Sequence, residues 1–482
     1  MPTVAEVRPS GLAGLLAERA RPDAVRRSPR APWLAVATVC LGAFMGQLDA
    51  SIVTLTFPAL GHTFSASLAA VEWVSLAYLV TLVALLVPIG RLSDALGRKA
   101  VYLLGFLLFT LASVGCGLAP SLAVLVLARV GQAVGAAMMQ ANSVALITTS
   151  MPAGKLRAGL GVQAAAQAIG LALGPTLGGL LVHGLGWRWV FMINVPVGVL
   201  GLIAGRYLLP RTRHRDPVGR FDTPGLLLLA GTTTAGLLAI SAGSGLAVPG
   251  PLVAGLGVLA VLGALGFVLR ESRAGEPLVS LAVLRDRVVG GGLVAACLGY
   301  LVLFGPLVLG PVALDRQGVP AGLTGLYLTA LPAGFAVAAV AGGRLVPRAW
   351  GNRDRGTAGM ALAALGMAAL VVLPATRVVL CAAYAVAGLG LGLFTPANNA
   401  AVMAAVPTRA AGTAGGMVNM TRALGTALGV ALVTLVLHLA GTAGGVRFSS
   451  GLLGIAACVA GIVTRISAAG SGTGTHDRGQ HR

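Results

Sequence analysis

One carboxylate lies in the middle of a long apolar segment near the start of the sequence. It is Asp49, in the stretch FMGQLDASIVTL (44–55), and a second charge, Arg129, lies within another apolar run. At 1.5 Å per helical residue, the two lie at similar depths, roughly 24 and 18 Å from the same side. A charge in such surroundings costs about 3 kcal/mol and tends to pair. Asp49 and Arg129 are therefore expected to be partners.

The chemistry open to this pair is the binding and release of a proton. A desolvated acid holds its proton, whereas a neighbouring arginine favours the ionised form. If the separation or hydration of Asp49 and Arg129 changes, the proton affinity of Asp49 changes with it. The alternative from the residues alone is a static, structural ion pair.

The composition indicates that these charges lie within a membrane. Of the 482 residues, 56% are hydrophobic and 10% charged, and the mean hydropathy is +0.89, beyond the range of soluble proteins. A membrane helix needs about 20 apolar residues, and continuous apolar runs indicate helices rather than barrel strands. Fourteen spans are predicted, at 33–58, 71–91, 100–119, 121–145, 159–183, 188–209, 223–243, 250–269, 289–314, 322–343, 357–374, 378–403, 411–439 and 450–467.

Basic residues are distributed unevenly along the chain, which has a net charge of +20. With an even number of spans both termini share one side, and most Lys and Arg residues then lie in tails and loops on that side. Such asymmetry marks the cytoplasmic side. We therefore expect a multi-pass protein of the cytoplasmic (inner) membrane with both termini cytoplasmic, and no nucleic-acid partner. The basic clusters are Arg8–Arg30, Arg91–Lys99, Arg206–Arg220, Arg270–Arg287 and Arg344–Arg355.

The remaining reactive residues do not form a recognisable centre in the sequence. The five cysteines fall inside predicted spans, and neither they nor the six histidines have metal-ligand spacing. We therefore expect no metal, no cofactor and no enzymatic activity. An Arg-rich tail precedes a full-length span, which is unlike a cleaved signal peptide. The tails 1–31 and 468–482 are predicted to be disordered and cytoplasmic.

The sequence repeats itself in weakened form. GRLSDALGRK (90–99) recurs as GRLVPRAWGNR (343–353), and MMQANSVALITTSMPAGKLRAG (138–159) as FTPANNAAVMAAVPTRAAG (394–412). This order along the chain predicts two homologous six-helix halves.

The predicted all-α architecture has three parts in the membrane. An N-terminal half, 32–209, and a C-terminal half, 289–467, are joined by a linker, 210–288, that contains two extra spans. The extra spans have no counterpart in either half, and we interpret them as a structural insert rather than as part of a substrate site. Two halves that rock about a midplane site are typical of alternating-access transport.

Five stretches of the sequence occur in a recognisable order. They are QLDASIVTLTFPAL, WVSLAYLVTLVALLVPIGRLSDALGRK, LARVGQAVGAA, GLALGPTLGG and GWRWVFMINVPVG. In these stretches and in its helix count, the chain resembles the major facilitator superfamily, specifically its fourteen-helix drug:proton antiporters. The resemblance extends over 33–467 and implies the major facilitator fold, with the first and fourth helices lining a central cavity.

The resemblance assigns a cytoplasmic gating loop to Gly90, Asp94, Gly97, Arg98 and Lys99. Glycines permit tight turns and close helix approach, and the two basic residues are expected at the lipid headgroups. By resemblance, charge contacts of this loop form in one state and break in the other. The second copy lacks an acid at the place of Asp94, so this latch is expected to be asymmetric.

The resemblance also assigns an antiporter hinge motif to Gly170, Gly174, Pro175, Gly178 and Gly179. Small residues at intervals of four permit close helix packing, and a proline within a helix favours a bend. Packing alone is one interpretation of the motif. By resemblance, the motif is typical of exporters and usually missing from importers.

Polar and flexible residues within the spans are candidates for a substrate cavity. Each one alone is more often an interhelical hydrogen bond than a ligand contact. Arg422 could bind backbone carbonyls, reach another helix end or meet an anionic substrate. The candidates are Gln47, Met138, Gln140, Asn142, Gln163, Gln167, Asn398, Asn399 and Arg422.

The function predicted on these grounds is proton-coupled efflux of amphiphilic drugs, antibiotics or secondary metabolites. Asp49 would carry the coupling proton and Arg129 would set its affinity. With Asp49 as the only deep carboxylate, neutral, weakly charged or anionic amphiphiles are favoured over multivalent cations. The partners are protons, a small-molecule substrate and the bilayer, and the protein is expected to be a monomer. The alternative is an uptake transporter or a narrow-specificity metabolite exporter of the same fold.

Overall fold

The computed structural model describes residues 18, 20–152, 155–212, 222–246, 248–275, 284–347, 349–406 and 411–467. Fourteen helices in these ranges are long and apolar enough to cross a membrane, which confirms the predicted number. We number them α1 to α14, and call the side on which α1 begins and α14 ends the termini face and the opposite side the far face.

The first six helices form the N-terminal half. The first continues beyond its α-helical part as a 3₁₀ turn, Val53–Thr56, and a short helix, Phe57–Phe64. The bounds are α1 Ala31–Ile52, α2 Trp73–Leu96, α3 Arg98–Gly117, α4 Leu122–Ser150, α5 Leu156–Gly184 and α6 Asn194–Leu208.

The other eight helices form the insert and the C-terminal half. The predicted tenth span is divided, with Ala321–Leu328 preceding the main helix. The insert consists of α7 Thr223–Gly243 and α8 Gly250–Arg273, and the half consists of α9 Arg287–Asp315, α10 Ala330–Leu345, α11 Asn352–Val372, α12 Arg377–Ala405, α13 Ala411–Leu439 and α14 Gly441–Ser467.

The two halves repeat the same helix contacts. In the N-terminal half α1 packs on α5 and α3 on α4, and in the C-terminal half α9 packs on α13 and α11 on α12. Glycines permit the first contact in both copies: a Cβ on Gly170 would lie 2.5 Å from the Phe44 carbonyl oxygen, and one on Gly429 would lie 2.8 Å from that of Leu301. The repeat seen in the sequence is therefore a repeat of close backbone contacts.

The insert lies against both halves through one of its two helices. Helix α7 contacts α2 of the N-terminal half and α13 of the C-terminal half. Helix α8 packs mainly on α7, and none of the residues in its most apolar stretch is buried. Lipid therefore surrounds most of α8, whereas α7 is covered on one side by the two halves.

The halves contact each other on the far face. The Thr176 hydroxyl of α5 hydrogen-bonds the Thr329 hydroxyl, and the backbone of Pro175 lies against Gly325. The halves are therefore in contact on the far face in the described arrangement.

Part of the tail that the sequence analysis predicts to be disordered has a defined position. The Glu18 carboxylate accepts hydrogen bonds from the backbone N–H of Ala100 at 3.2 Å and of Thr212 at 2.7 Å. Arg21 Nε donates to the Leu208 carbonyl at 2.6 Å. This segment therefore joins the start of α3 to the chain that follows α6. Residues 1–17, 19 and 468–482 lie outside the described residues.

The close contact of α1 with α5 generates a test by overpacking. A Cβ on Gly174 would meet the Ser51 side chain, whereas one on Gly161 of the same helix would enter open space. Gly174→Val is expected to cost about 1–3 kcal/mol of stability, and Gly161→Val to change stability little. Thermal unfolding of the two purified variants measures the difference, and equal melting temperatures would contradict this account of the packing.

Candidate functional site: a buried ion pair

The predicted partners Asp49 and Arg129 are in direct contact within the N-terminal half. Arg129 Nη1 of α4 lies 2.6 Å from Asp49 Oδ2 of α1. The exposed fractions of the two side chains are 1% and 0%. The predicted pairing is confirmed, and the pair lies out of contact with water.

Two amides complete the surroundings of the carboxylate. Gln132 Nε2 donates to Asp49 Oδ1 at 3.0 Å and to Ser113 Oγ at 2.9 Å. Asn194 Nδ2 donates to the same Asp49 oxygen at 3.1 Å. Both carboxylate oxygens of Asp49 therefore accept hydrogen bonds from side-chain donors.

Arg129 is held from three sides. Its Nε donates to the Val74 carbonyl of α2 at 2.8 Å, and its guanidinium lies 4.2 Å from the centre of the Tyr78 ring. Phe191 contributes a second ring at 5.8 Å. Because α2 and α4 both bind the guanidinium, a displacement of either helix changes the position of the charge beside Asp49.

The pair lies behind the wall of a small cavity between the halves. Its volume is about 10 Å³, which is room for about one water molecule. Arg129 lines it while Asp49 does not, so Arg129 separates the carboxylate from the cavity. The lining residues are Ala50, Thr54, Ser75, Tyr78, Leu79, Arg129, Phe304, Thr426 and Val430.

Sequence reasoning found the two charges and missed the residues that hold them. Gln132 lies three residues from Arg129 and therefore on the same face of α4, which was a usable signal. Asn194 begins α6 in an otherwise apolar stretch, and its partner cannot be identified without the fold. Val74 acts through its backbone, which no sequence pattern reveals.

The predicted gating loop is only partly described. Gly97 has φ 109° and ends α2 where α3 begins, a backbone conformation that requires glycine. Gly90 lies towards the termini-face end of α2, and Arg98 begins α3. The side chain of Asp94 lies outside the described residues, so the predicted role of its charge stays a prediction.

Lys99 corrects the sequence prediction for this loop. It was expected at the lipid headgroups, but its side chain is buried, and Nζ donates to the carbonyls of Leu209 at 2.7 Å and Arg206 at 3.0 Å. Carbonyls at the end of a helix lack partners within it and attract cations. Lys99 therefore fastens the end of α6 to α3.

The hinge motif divides between two neighbours of α5. Gly170, Gly174 and Gly178 face α1, as the spacing of four predicts, whereas Pro175 and Gly179 lie against Gly325 at the start of the tenth span. One face of the motif therefore packs inside the N-terminal half, and the other meets the C-terminal half on the far face.

Three predicted cavity residues instead pack inside the halves. Asn142 Nδ2 donates to Ser93 Oγ at 2.7 Å, and its repeat equivalent Asn398 donates to the Gly292 carbonyl at 2.9 Å. Met138 packs beside a glycine of α3. Gln163 is buried; the half-buried candidates are Gln47, Gln140, Gln167, Asn399 and Arg422.

Arg422 occupies a half-buried position on α13. Its Nη1 lies 3.3 Å from Asn419 Oδ1, and its guanidinium lies 5.2 Å from the centre of the Tyr300 ring. Nε is buried without a hydrogen-bond partner. Thr426, one turn further along α13, lines the small cavity, so Arg422 is close to it along the helix.

A second carboxylate, at the edge of a predicted span, is also fully buried. Glu72, which precedes α2, is 0% exposed and hydrogen-bonds Ser241 of the insert. The sequence places it at the edge of a predicted span, where water is expected, and its coverage by α7 and α13 depends on the fold. Among the described residues, no three His, Cys, Asp or Glu side chains are arranged to hold a metal ion.

Two helical halves that enclose a midplane cavity with buried charges define a polytopic membrane transporter. The chain belongs to the Major Facilitator Superfamily, whose sequence model matches residues 39–430. It is a transporter and not an enzyme.

Relatives with sequence similarity over most of the chain include resistance proteins. A puromycin resistance protein of Streptomyces alboniger is 36% identical over 421 residues, 84% of this chain and 81% of that protein. The tetracenomycin C resistance and export protein of Streptomyces glaucescens is 33% identical, over 83% and 75%. A riboflavin transporter of Clostridioides difficile is 30% identical, over 83% and 87%.

Solved structures share the fold at low identity. A peptide transporter in complex with sulfate matches with a TM-score of 0.68 and 17% identity, over 95% of this chain and 98% of that chain. A bacterial homologue of the lysosomal transporter Spinster, described as inward-facing and unoccupied, matches with a TM-score of 0.63 and 18% identity, over 92% and 98%.

The buried pair generates a test of how its charges are balanced. Arg129→Gln leaves the Asp49 anion without its counter-charge, at an expected cost of about 3–5 kcal/mol. The double variant Asp49→Asn with Arg129→Gln removes both charges and is expected to recover most of that loss. Thermal unfolding in detergent compares the three proteins. A double variant no more stable than Arg129→Gln would show that the charge balance does not determine stability here.

Proposed function

We propose that this transporter exports amphiphilic small molecules across the cytoplasmic membrane in exchange for protons, with both termini in the cytoplasm. The observation that carries the proposal is the fully buried Asp49–Arg129 pair, which borders the cavity through its arginine. Similarity to resistance and export proteins supports the direction of transport. The network lies within one chain, which supports a monomeric unit.

Asp49 carries the coupling proton in this mechanism. While Arg129, Gln132 and Asn194 donate to it, the carboxylate stays ionised. A displacement of α4 from α1 withdraws the arginine and leaves a buried charge without a partner, which is costly. Binding a proton removes that cost, so the second conformation binds H⁺ more tightly than the first.

Arg129 couples this step to the cavity. Its guanidinium is bound to the Val74 carbonyl and stacked on Tyr78, and Arg129 and Tyr78 both line the cavity. A substrate that enters between the halves displaces these groups or competes for the guanidinium. Proton binding and substrate binding thereby act on the same side chain.

The driving force suffices for uphill export. A proton that moves through 100 mV releases about 2.3 kcal/mol, which supports an approximately 50-fold substrate gradient at about 1.4 kcal/mol per tenfold. The two guanidinium groups near the cavity, Arg129 and Arg422, favour neutral, weakly charged or anionic amphiphiles over multivalent cations.

A second candidate is a narrow-specificity carrier, including one that takes up its substrate. The similarity to a riboflavin transporter favours this reading of the same fold. A narrow carrier and a multidrug exporter differ in the number of compounds to which they confer resistance.

The test compares wild type, Asp49→Asn and the control Asp354→Asn in an efflux-deficient bacterial host at matched membrane levels. Asp354 is a 44% exposed carboxylate that pairs with Arg465 at the surface, so its loss is expected to leave transport unchanged. Growth is scored across antibiotics, dyes and quaternary ammonium compounds. Wild type and Asp354→Asn are expected to confer resistance, and Asp49→Asn is expected to lose it.

Two results would contradict the proposal. An Asp49→Asn protein that still drives substrate against its gradient would exclude Asp49 as the coupling residue. Resistance in none of the three strains would favour the narrow carrier, and metabolite profiling of a deletion strain would then identify the substrate and the direction of transport.

A further inference from the structure

Glu72 lies at a junction of three helices that belong to three different parts of the chain. It precedes α2 of the N-terminal half, and its side chain is 0% exposed. Its Oε1 accepts a hydrogen bond from Ser241 on α7 of the insert, and the Thr434 hydroxyl on α13 of the C-terminal half also faces it. We call these three residues the far-face junction, since they lie towards the far-face ends of their helices.

The surroundings of Glu72 fit a neutral carboxylic acid. Among the described residues no basic nitrogen lies within 4.0 Å of its carboxylate, and its Oε2 has no hydrogen-bond partner. The two hydroxyl groups that face it, those of Ser241 and Thr434, carry no charge. An unpaired anion at this position would be costly.

A recess connects the junction to the far face. Its volume is about 290 Å³, and Thr434 lines it as well as facing Glu72. The charged or titratable side chains of the recess are Arg316 from the end of α9 and His438 from α13. Ser67 and Ser244 supply polar groups at its wall. Thr434 therefore borders both the recess and the acid.

The junction exists only while the halves are together on the far face. Ser241 and Thr434 reach Glu72 because α7 and α13 both pack on the start of α2. Rocking of the halves, the motion assumed in the proposed function, would separate α2 from α13 and admit water from the recess. The acid is then hydrated, and the cost of its ionisation falls.

We propose that Glu72 is a second proton-binding site, loaded from the far face, and that its neutral form locks the far face closed through Ser241 and Thr434. This inference rests on the alternating motion of the proposed function, but not on the role of Asp49. It gives the insert a part in gating, because α7 supplies one of the two hydroxyls. Protons that arrive from the far face then favour return to the described arrangement, the step that an exporter needs after it releases its substrate.

The sign of the pH dependence follows from the proton count. The open form has released the Glu72 proton and the closed form retains it, so a rise in pH favours the open form. One proton changes the ratio of the two forms by at most about tenfold per pH unit. The dependence is expected over the range in which hydrated Glu72 titrates.

The experiment measures entry of water-borne reagent between the halves. In a chain whose five cysteines are replaced by alanine, Ser75→Cys places one thiol on α2, where the serine is 6% exposed and lines the small cavity. Intact cells are treated with a membrane-impermeant maleimide at several external pH values. A Thr63→Cys variant serves as the reference, because Thr63 is exposed at the far-face end of the first span. Its labelling corrects for the pH dependence of the maleimide reaction itself and reports whether the far face is outside the cell.

Labelling of Ser75→Cys relative to Thr63→Cys is expected to rise with pH. Adding Glu72→Gln, which mimics the neutral acid, is expected to lower the labelling and remove the rise, and Ser241→Ala to increase labelling at every pH. The proposal would be overturned if labelling of the Glu72→Gln variant rose with pH as steeply as labelling of its Ser75→Cys parent, or if labelling of that parent did not change with pH. If Glu72→Gln does not reach the membrane, the slope of the parent and the effect of Ser241→Ala decide the question.

The readout needs neither a substrate nor a proton gradient. A negative result in the Asp49 growth test therefore does not change the labelling expected here. A negative labelling result likewise does not change the effect expected of Asp49→Asn. The two proposals can be refuted separately.

Discussion

The structure depends on the burial of one aspartate anion inside an apolar helix bundle. In that environment the charge of Asp49 is acceptable only with a counter-charge and several hydrogen-bond donors at short range. Arg129, Gln132 and Asn194 meet this requirement from α4 and α6, and the Val74 carbonyl of α2 positions the arginine. One carboxylate therefore fixes the relative positions of four helices. Protonation of Asp49 neutralises the charge that these groups balance. The same interaction is therefore suitable for a switch.

Close glycine packing supplies the rigidity that such a switch needs. Gly170 packs against the α1 backbone and Gly429 against the α9 backbone, each so closely that a Cβ would not fit. These contacts hold each half together. The halves meet through a threonine pair, through Gly325 against the backbone of Pro175, and through the far-face junction. Motion between the halves has to break these contacts, whereas the contacts inside each half can stay in place.

Much of this architecture could be predicted from the sequence because it follows from length and periodicity. The fourteen spans and the pairing of Asp49 with Arg129 needed only apolar runs and depth counted along helices. The start of α14 was predicted at 450 instead of Gly441, because Arg447 and the buried Ser449 and Ser450 interrupt the apolar run. A neighbouring helix accepts the arginine: Arg447 Nε donates to the Val371 carbonyl of α11 at 2.9 Å.

The contacts that were missed depend on partners remote in sequence. Lys99 is buried because the end of α6 offers carbonyls to it, more than 100 residues later in the chain. Glu72 is buried because α7 and α13 cover a span edge that would otherwise face water. In each case the local sequence predicts exposure correctly for an isolated helix. Tertiary contacts override that preference, and no pattern within the helix records them.

The docking of the N-terminal segment imposes an order on biosynthesis. Glu18 binds Thr212, 194 residues later in the chain, so the segment has no completed binding place until all six helices of the first half have been made. At a synthesis rate of about 5–20 residues per second, this delay is roughly 10–40 s. The segment around Glu18 is thus synthesised before the six helices of its half and reaches its final position only after them, so its docking marks the completion of that half.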